Sequence, residues 1–266
     1  MDMNMRPESE RKSALQEFNR MSDYYDKYRP DYPEELIKTI ISRANLTTDS
    51  KVLEIGAGSG KATVQFADFG FEMVCIEPGV DLVKTGKSKF ADNKNIDFIA
   101  SRFEDYPEPS EYFDVIISAQ AFHWISQPLG YEKCATALKK GGYLAPFWYL
   151  DLSRDVVFDR EFVAILNKYD AFVSCMPAKN YDERTKSISS KIVSSGLFSS
   201  PEIIHVHSEK IYTADEYFGC LLTTANFADK ADDEKHGCRE ELIQLADKYH
   251  GIKRQYTYEL YLTQKL

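Results

Sequence analysis

The chain has 266 residues, 43% of them hydrophobic and 28% charged, and its 42 acidic against 33 basic side chains leave a net charge of −9. That length holds one large α/β domain with an insertion, or two small domains. The acidic balance argues against a nucleic-acid substrate, because phosphate binding needs a basic surface. No run of about 18 apolar residues occurs, and the Met-Asp-Met-Asn-Met-Arg start has no apolar stretch, so neither a membrane span nor a secretory signal is expected. The cysteines at 75, 134, 175, 220 and 238 form no C-x-x-C or zinc-finger spacing, which fits reduced thiols in a cytoplasmic protein.

Residues 10–28 are charged, with Leu15, Phe18 and Met21 at helical spacing, and predict a short amphipathic helix. Arg29-Pro-Asp-Tyr-Pro33 breaks it, and Pro33 opens a helix whose inner face is Leu36, Ile37, Ile40, Ile41 and Ala44. Strands are then expected at 51–55, 71–76, 96–100, 114–118 and 143–149. Helices over 61–70, 80–90 and 129–139 separate them, and Gly141-Gly142 is read as the end of the last helix. This alternation predicts a parallel sheet covered on both faces.

Residues 151–200 break the rhythm, with helical stretches over 158–172 and 184–195, and read as a helical cap insertion at the ligand edge of the sheet. Phe158, Phe162, Tyr169 and Phe172 stand there at helical spacing, which favours cap core over substrate wall. Strands at 202–211 and 254–264, with helices near 214–223 and 234–249, complete the chain. Tyr256, Tyr258, Leu260 and Leu262 share one face of the last strand. The expected organisation is a cap helix plus Rossmann-like core over 1–150, the insertion over 151–200, and completion of the same sheet over 201–266.

The most informative stretch is Val52-Leu-Glu-Ile-Gly-Ala-Gly-Ser-Gly60, a buried strand running into three glycines and then a helix. Such a turn brings backbone amides close to a ligand at a helix start. The dinucleotide fingerprint G-x-G-x-x-G/A needs a small third residue, and that position holds Lys61. The P-loop pattern fails at both ends, with Ile55 in place of its first glycine and Ala62 in place of its hydroxyl residue. What remains, E-x-G-x-G-x-G after a first strand, resembles motif I of the class I S-adenosylmethionine-dependent methyltransferases. Two further strings match a small-molecule subgroup similar to the trans-aconitate methyltransferases: Tyr25-x-x-Tyr-Arg-Pro-x-Tyr-Pro33 and Ala119-Gln-Ala-Phe-His-Trp124.

The resemblance implies a three-layer α/β Rossmann-like fold with a seven-stranded, mostly parallel sheet of order 3-2-1-4-5-7-6, its last strand antiparallel. It implies S-adenosyl-L-methionine as cofactor and S-adenosyl-L-homocysteine as product. Ligands of open α/β sheets lie beyond the carboxyl ends of the strands. Those ends supply the candidate cofactor residues Glu54, Gly56, Ala57, Gly58 and Gly60, then Glu77 for the ribose hydroxyls, Phe103 and Glu104 for the adenine edge, and Gln120. Arg29 suits a carboxylate of the cofactor or of an acidic substrate, and Tyr25 and Tyr28, one helical turn apart, are expected to close over the methionine end. His123 is the candidate catalytic residue, either as base or as a group orienting the acceptor, with Tyr28 and Trp124 as substrate-binding companions.

His205 and His207 share one strand face without a third ligand, and His236 and His250 stand apart, so no metal is expected. The expected function is methylation of a small molecule, with O-methylation of a carboxylate or hydroxyl ahead of N- or C-methylation. A non-catalytic binding module and an NAD-dependent oxidoreductase are the alternatives. No nucleic-acid or membrane partner is expected, and the oligomeric state is not readable.

Overall fold

A computed structural model of the protein describes residues 22–153, 156–171, 175–177 and 181–266. The expectations for Leu15, Phe18, Met21 and Phe172 lie outside the described residues. Five parallel strands come first: β1 (Lys51–Ile55), β2 (Glu72–Glu77), β3 (Ile96–Ala100), β4 (Phe113–Ala119) and β5 (Leu138–Ser153). A three-residue β6 (Cys175–Pro177) pairs parallel with the end of β5. Then β7 (Glu202–Tyr212) and β8 (Ile252–Gln264) close the sheet, β8 running antiparallel between β5 and β7. The order is β3-β2-β1-β4-β5-β8-β7, with β6 off that path. With β6 set aside, this is the expected 3-2-1-4-5-7-6.

The strand sequences explain why both faces are covered. Val52, Val115, Ile117, Phe147 and Tyr149 point into one core, while Leu53, Ile55, Ile116, Leu144 and Trp148 point into the other. That is the period-2 alternation of a strand with apolar neighbours on each side. The first core is roofed by α2 (Glu34–Arg43), α3 (Thr63–Ala67), α4 (Val80–Lys89), α6 (Val157–Lys168), α8 (Ala214–Leu221) and α10 (Asp232–Tyr249). The second is roofed by α5 (Leu129–Ala137) and α7 (Tyr181–Ser194). Leu36, Ile40 and Phe66 are fully enclosed, and each such side chain stabilises the fold by roughly 1.5–3 kcal/mol. Two short helices, α1 (Ser22–Tyr28) and α9 (Ala225–Ala228), stand at the carboxyl end of the sheet and before α10.

Three local expectations differ from the structure. The helix expected over 129–139 ends at Ala137, and β5 begins at once at Leu138. Gly141-Gly142 therefore lies within a bulge, where pairing jumps from Phe113–Leu138 to Val115–Tyr143. Gly141 has φ +75°, and a Cβ on Gly142 would stand 3.0 Å from the Asp114 carbonyl, so these glycines serve a backbone approach. Within 151–200, α7 does not stand over the strand ends. Ile192 is buried in the second core, and Arg184 and Thr185 bind the fully buried carboxylate of Glu259 on β8. Helix α6 packs on the opposite face, where Phe162 meets Tyr217 edge-on at 5.0 Å and Phe158 stacks on Phe162 at 5.9 Å. Phe158, Phe162 and Tyr169 are thus core, as their spacing predicts.

Candidate functional site

The loop after β1 has the geometry that its glycines permit. Gly56, Gly58 and Gly60 have φ of +72°, +59° and +88°, a region costly for side chains with a Cβ. A Cβ on Gly56 would stand 2.3 Å from that of Ala121, and one on Gly60 would stand 2.6 Å from the Phe90 ring. Gly58 differs, since a Cβ there would meet nothing within 4 Å. The space beside its Cα is open. The loop is pinned to β2 by Gly56 and Ala57, whose N–H groups donate to the Ile76 carbonyl at 2.8 and 3.1 Å.

Glu77 ends β2 beside this loop and is 6% exposed. One carboxylate oxygen accepts the Gly58 N–H at 2.9 Å and the other the Gly79 N–H at 2.8 Å. Burial pushes its carboxyl up, and the two backbone donors pull it back in part. A carboxylate offers about four acceptor positions, so roughly half remain for the paired hydroxyls of a nucleoside. This donor set and the bare Gly58 fit S-adenosylmethionine.

Glu54 is a correction. Strand alternation turns it into the first core with Val52, where it is 1% exposed. Its carboxylate accepts the Thr63 hydroxyl at 2.6 Å and meets Cys75 Sγ at 3.9 Å. It clamps β1 to the start of α3 beneath the loop, enclosed in the first core. Burial raises its carboxyl to about 7, against the Thr63 hydrogen bond that lowers it, with Glu77 adding to the rise.

The segment Tyr28–Pro33 is bound to the sheet from far along the chain. Arg29, 8% exposed, donates to Thr223 Oγ1 at 2.7 Å and to Tyr149 Oη at 3.1 Å, and Tyr25 lies 5.2 Å under its guanidinium. Tyr32 meets Phe147 edge-on at 5.1 Å, and the Tyr258 hydroxyl donates to the Asp31 carbonyl at 2.6 Å. Tyr28 is the second correction. Its ring covers Gly219 of α8, where a Cβ would come within 2.5 Å, so it is a helix-packing residue and not part of a substrate wall. Helix α1 is also tied to the glycine loop. Ser59 Oγ donates to Asp26 at 2.5 Å, and Lys61 Nζ donates to the Asp26 carbonyl at 2.9 Å and to the Asp31 carboxylate at 2.7 Å.

Beyond β4, Gln120 has φ +58°, its N–H donates to the Phe147 carbonyl at 2.9 Å, and its side-chain amide donates to the Tyr149 carbonyl at 3.1 Å. Phe122–Trp124 forms a 3₁₀ turn that buries Phe122 and leaves His123 and Trp124 half-buried, their rings 5.0 Å apart. The indole N–H of Trp148 donates to His123 Nδ1 at 3.0 Å. On the β3 side, a second 3₁₀ turn (Phe103–Asp105) buries Phe103, and Glu104 accepts the Ser126 N–H at 3.1 Å. Glu104 thereby joins the loops after β3 and β4. Burial pushes its carboxyl up, but backbone N–H donors and Arg102 outweigh this and hold it low.

Gly56, Ala57, Gly58, Glu77, Gln120 and the His123 turn converge as the strand ends predict, while Glu54 and Tyr28 do not. Thr63, Trp148, Tyr149 and Thr223 were missed. Trp148 and Tyr149 stand at the carboxyl end of the strand expected over 143–149, the same signal that marked the others, whereas nothing local marks Thr63 or Thr223. Among the described residues no cluster of His, Cys, Asp and Glu suits a metal ion, and no helix is long and apolar enough to cross a membrane.

Residues 53–145 match the methyltransferase domain family. The chain is 32% identical over 132 residues to a protein of Dictyostelium discoideum named as a methyltransferase, covering 50% of this chain and 48% of that one. It is 29% identical over 132 residues to a Saccharomyces cerevisiae protein named as an S-adenosylmethionine-dependent methyltransferase, covering 48% and 45%. These alignments span about half the length of each relative. The solved structure of the YcgJ protein of Bacillus subtilis is similar in fold, with a TM-score of 0.56 at 18% identity over 88% of this chain and 99% of that one. The match over residues 53–145 takes in the glycine loop and Glu77, and the strand order of the sheet is that of the class I methyltransferase fold.

Proposed function

We propose that this protein methylates a small acidic or hydroxylated molecule, with O-methylation of a carboxylate or hydroxyl as the reaction. The observation that carries this reading is Arg29. Its guanidinium is buried at the same end of the sheet as Glu77 and Gly58, and its hydrogen-bond partners among the described residues are hydroxyls, with no carboxylate. A buried cation without a counter-charge is costly, so an anionic group of a ligand completes the site. The carboxylate of the cofactor or of an acidic acceptor meets that need.

Bound S-adenosylmethionine supplies a methyl group on a sulfonium centre, open to in-line attack. Glu77 would hold the ribose hydroxyls, and the bare backbone at Gly58 would let the cofactor lie close. Phe103 and the Glu104 bridge form the wall on the adenine side. Tyr25, by packing on Arg29, keeps that charge out of bulk water, where it is worth more to a bound anion. Trp124 and His123 line the acceptor side. Four cysteines (75, 134, 220, 238) are free and buried, which fits a reducing, cytoplasmic setting.

The test is release of S-adenosylhomocysteine from the purified chain across small acids, phenols and amines. Release that depends on an acid or phenol is the expected result. Cofactor binding with no release from any acceptor would instead make the protein a binding module, and a response to NAD(H) alone would favour an oxidoreductase.

A further inference from the structure

Trp148 decides what His123 can do. An indole N–H is a donor and has no acceptor lone pair, so the 3.0 Å contact with His123 Nδ1 requires that Nδ1 carry a lone pair. A neutral imidazole has one protonated and one bare nitrogen. With Nδ1 bare, the proton sits on Nε2. Charging the ring would add a proton to Nδ1, facing the Trp148 N–H and breaking that bond.

Trp148 is itself firmly held. It is 5% exposed on β5, meets Tyr261 edge-on at 5.7 Å, and carries the Arg184 guanidinium 5.1 Å over its ring. Arg184 is fixed by Glu259, which also accepts the Thr185 hydroxyl at 2.5 Å. The charged and titratable groups around the pair include, among the described residues, Tyr261 and Glu259 of β8, Arg184 of α7, and His205 of β7 beyond the indole. Glu104 and Arg102 stand on the loop that Ser126 touches.

We infer that Trp148 is a positioning residue that holds His123 as a neutral hydrogen-bond donor at Nε2, so that His123 orients the acceptor and takes no proton from it. The acceptor class this selects is one whose oxygen is already ionised at neutral pH, a carboxylate. The inference rests on the methyl-transfer reading for its substrate half, and on geometry alone for the tautomer. The step balances without a base: the carboxylate oxygen's electron pair forms the C–O bond as the methyl C–S bond breaks, and that bond's pair passes to sulfur. An anion and a sulfonium cation become a neutral ester and a neutral thioether. No proton is released.

The tautomer is read in the uniformly ¹⁵N-labelled full chain, from long-range proton–nitrogen spectra of its five imidazoles, with the His123 signals assigned by their loss in H123Q. Expected is an Nε2–H ring that stays neutral from about pH 8 to pH 6, the window in which an unperturbed imidazole charges. In W148F that ring begins to titrate. An Nδ1–H ring, or an imidazolium at neutral pH in the unaltered chain, overturns the inference whether or not W148F folds.

Activity gives the second arm. Loss of an orienting N–H donor that Gln in part restores lowers turnover in H123Q by about tenfold, whereas loss of a general base costs about 10²–10⁴-fold. A fall of that size in H123Q, or faster methylation of phenols than of any carboxylate, contradicts the proposal. Absence of turnover with every acceptor overturns the methyl-transfer reading and its substrate half, while the spectra still decide the tautomer.

Discussion

Glu54 and Glu77 leave adjacent strands at the same end of the sheet, and one side chain joins the glycine loop while the other is sealed below it. The difference was legible in part. Glu77 stands at a strand end, where the ligand edge must lie. Glu54 stands two residues after Val52, so period-2 alternation sends it to the same enclosed face; matching the motif alone concealed this. Burial raises Glu54 to about 7 from 4.5, so the folded chain holds that proton more tightly than the unfolded one. Its contribution is full below about pH 4.5 and is lost as pH rises to about 7. The gap corresponds to about 3 kcal/mol. Glu54→Gln should flatten the fall in thermal midpoint across that interval and be the more stable form at pH 8. Parallel curves for the two proteins would refute the assignment. Trp148 teaches the converse lesson: the residue that sets the histidine's proton is 25 positions away in sequence, on the next strand.

Among the elements, the glycine loop and β4 followed directly from their sequences, because glycines at positive φ and unbroken apolar runs have few other uses. The α5–β5 boundary did not. A pair of glycines marks a helix end and a bulge equally well, and here the close Asp114 backbone decides for the bulge. Helix α1 is the element whose role the sequence hid. With seven residues it is too short to persist alone, and it is held over the loop by Asp26. That side chain accepts from Ser59 and lies 3.4 Å from Lys89 Nζ, while Tyr28 fills the notch at Gly219. Asp26→Ala removes a charge-assisted bond of about 1.5–3 kcal/mol. Amide exchange over 24–29 should accelerate by at least about tenfold while β1 and β4 stay protected. Unchanged exchange in α1 would show that the Tyr28 packing alone holds it.

At the scale of the molecule, strand–helix alternation made the class of fold legible, and the family resemblance supplied the order 3-2-1-4-5-7-6. The short β6 carries no periodic signal in three residues. The buried Arg29 corner was hidden for a different reason: Arg29 reaches partners 120 and 194 residues away, and the buried Arg254 joins Asp151 of β5 to Asp159 of α6. No local pattern encodes such pairings. The central claim is that the cofactor lies along the strand ends with its ribose on Glu77. Isothermal titration of S-adenosylhomocysteine into the full chain and into Glu77→Gln tests it. One saturable site is predicted for the unaltered protein, weakened between about tenfold and a hundredfold in the variant, as loss of charge-assisted bonds to a ligand implies. Equal affinity in the two proteins, or no binding by the unaltered chain, would contradict the account.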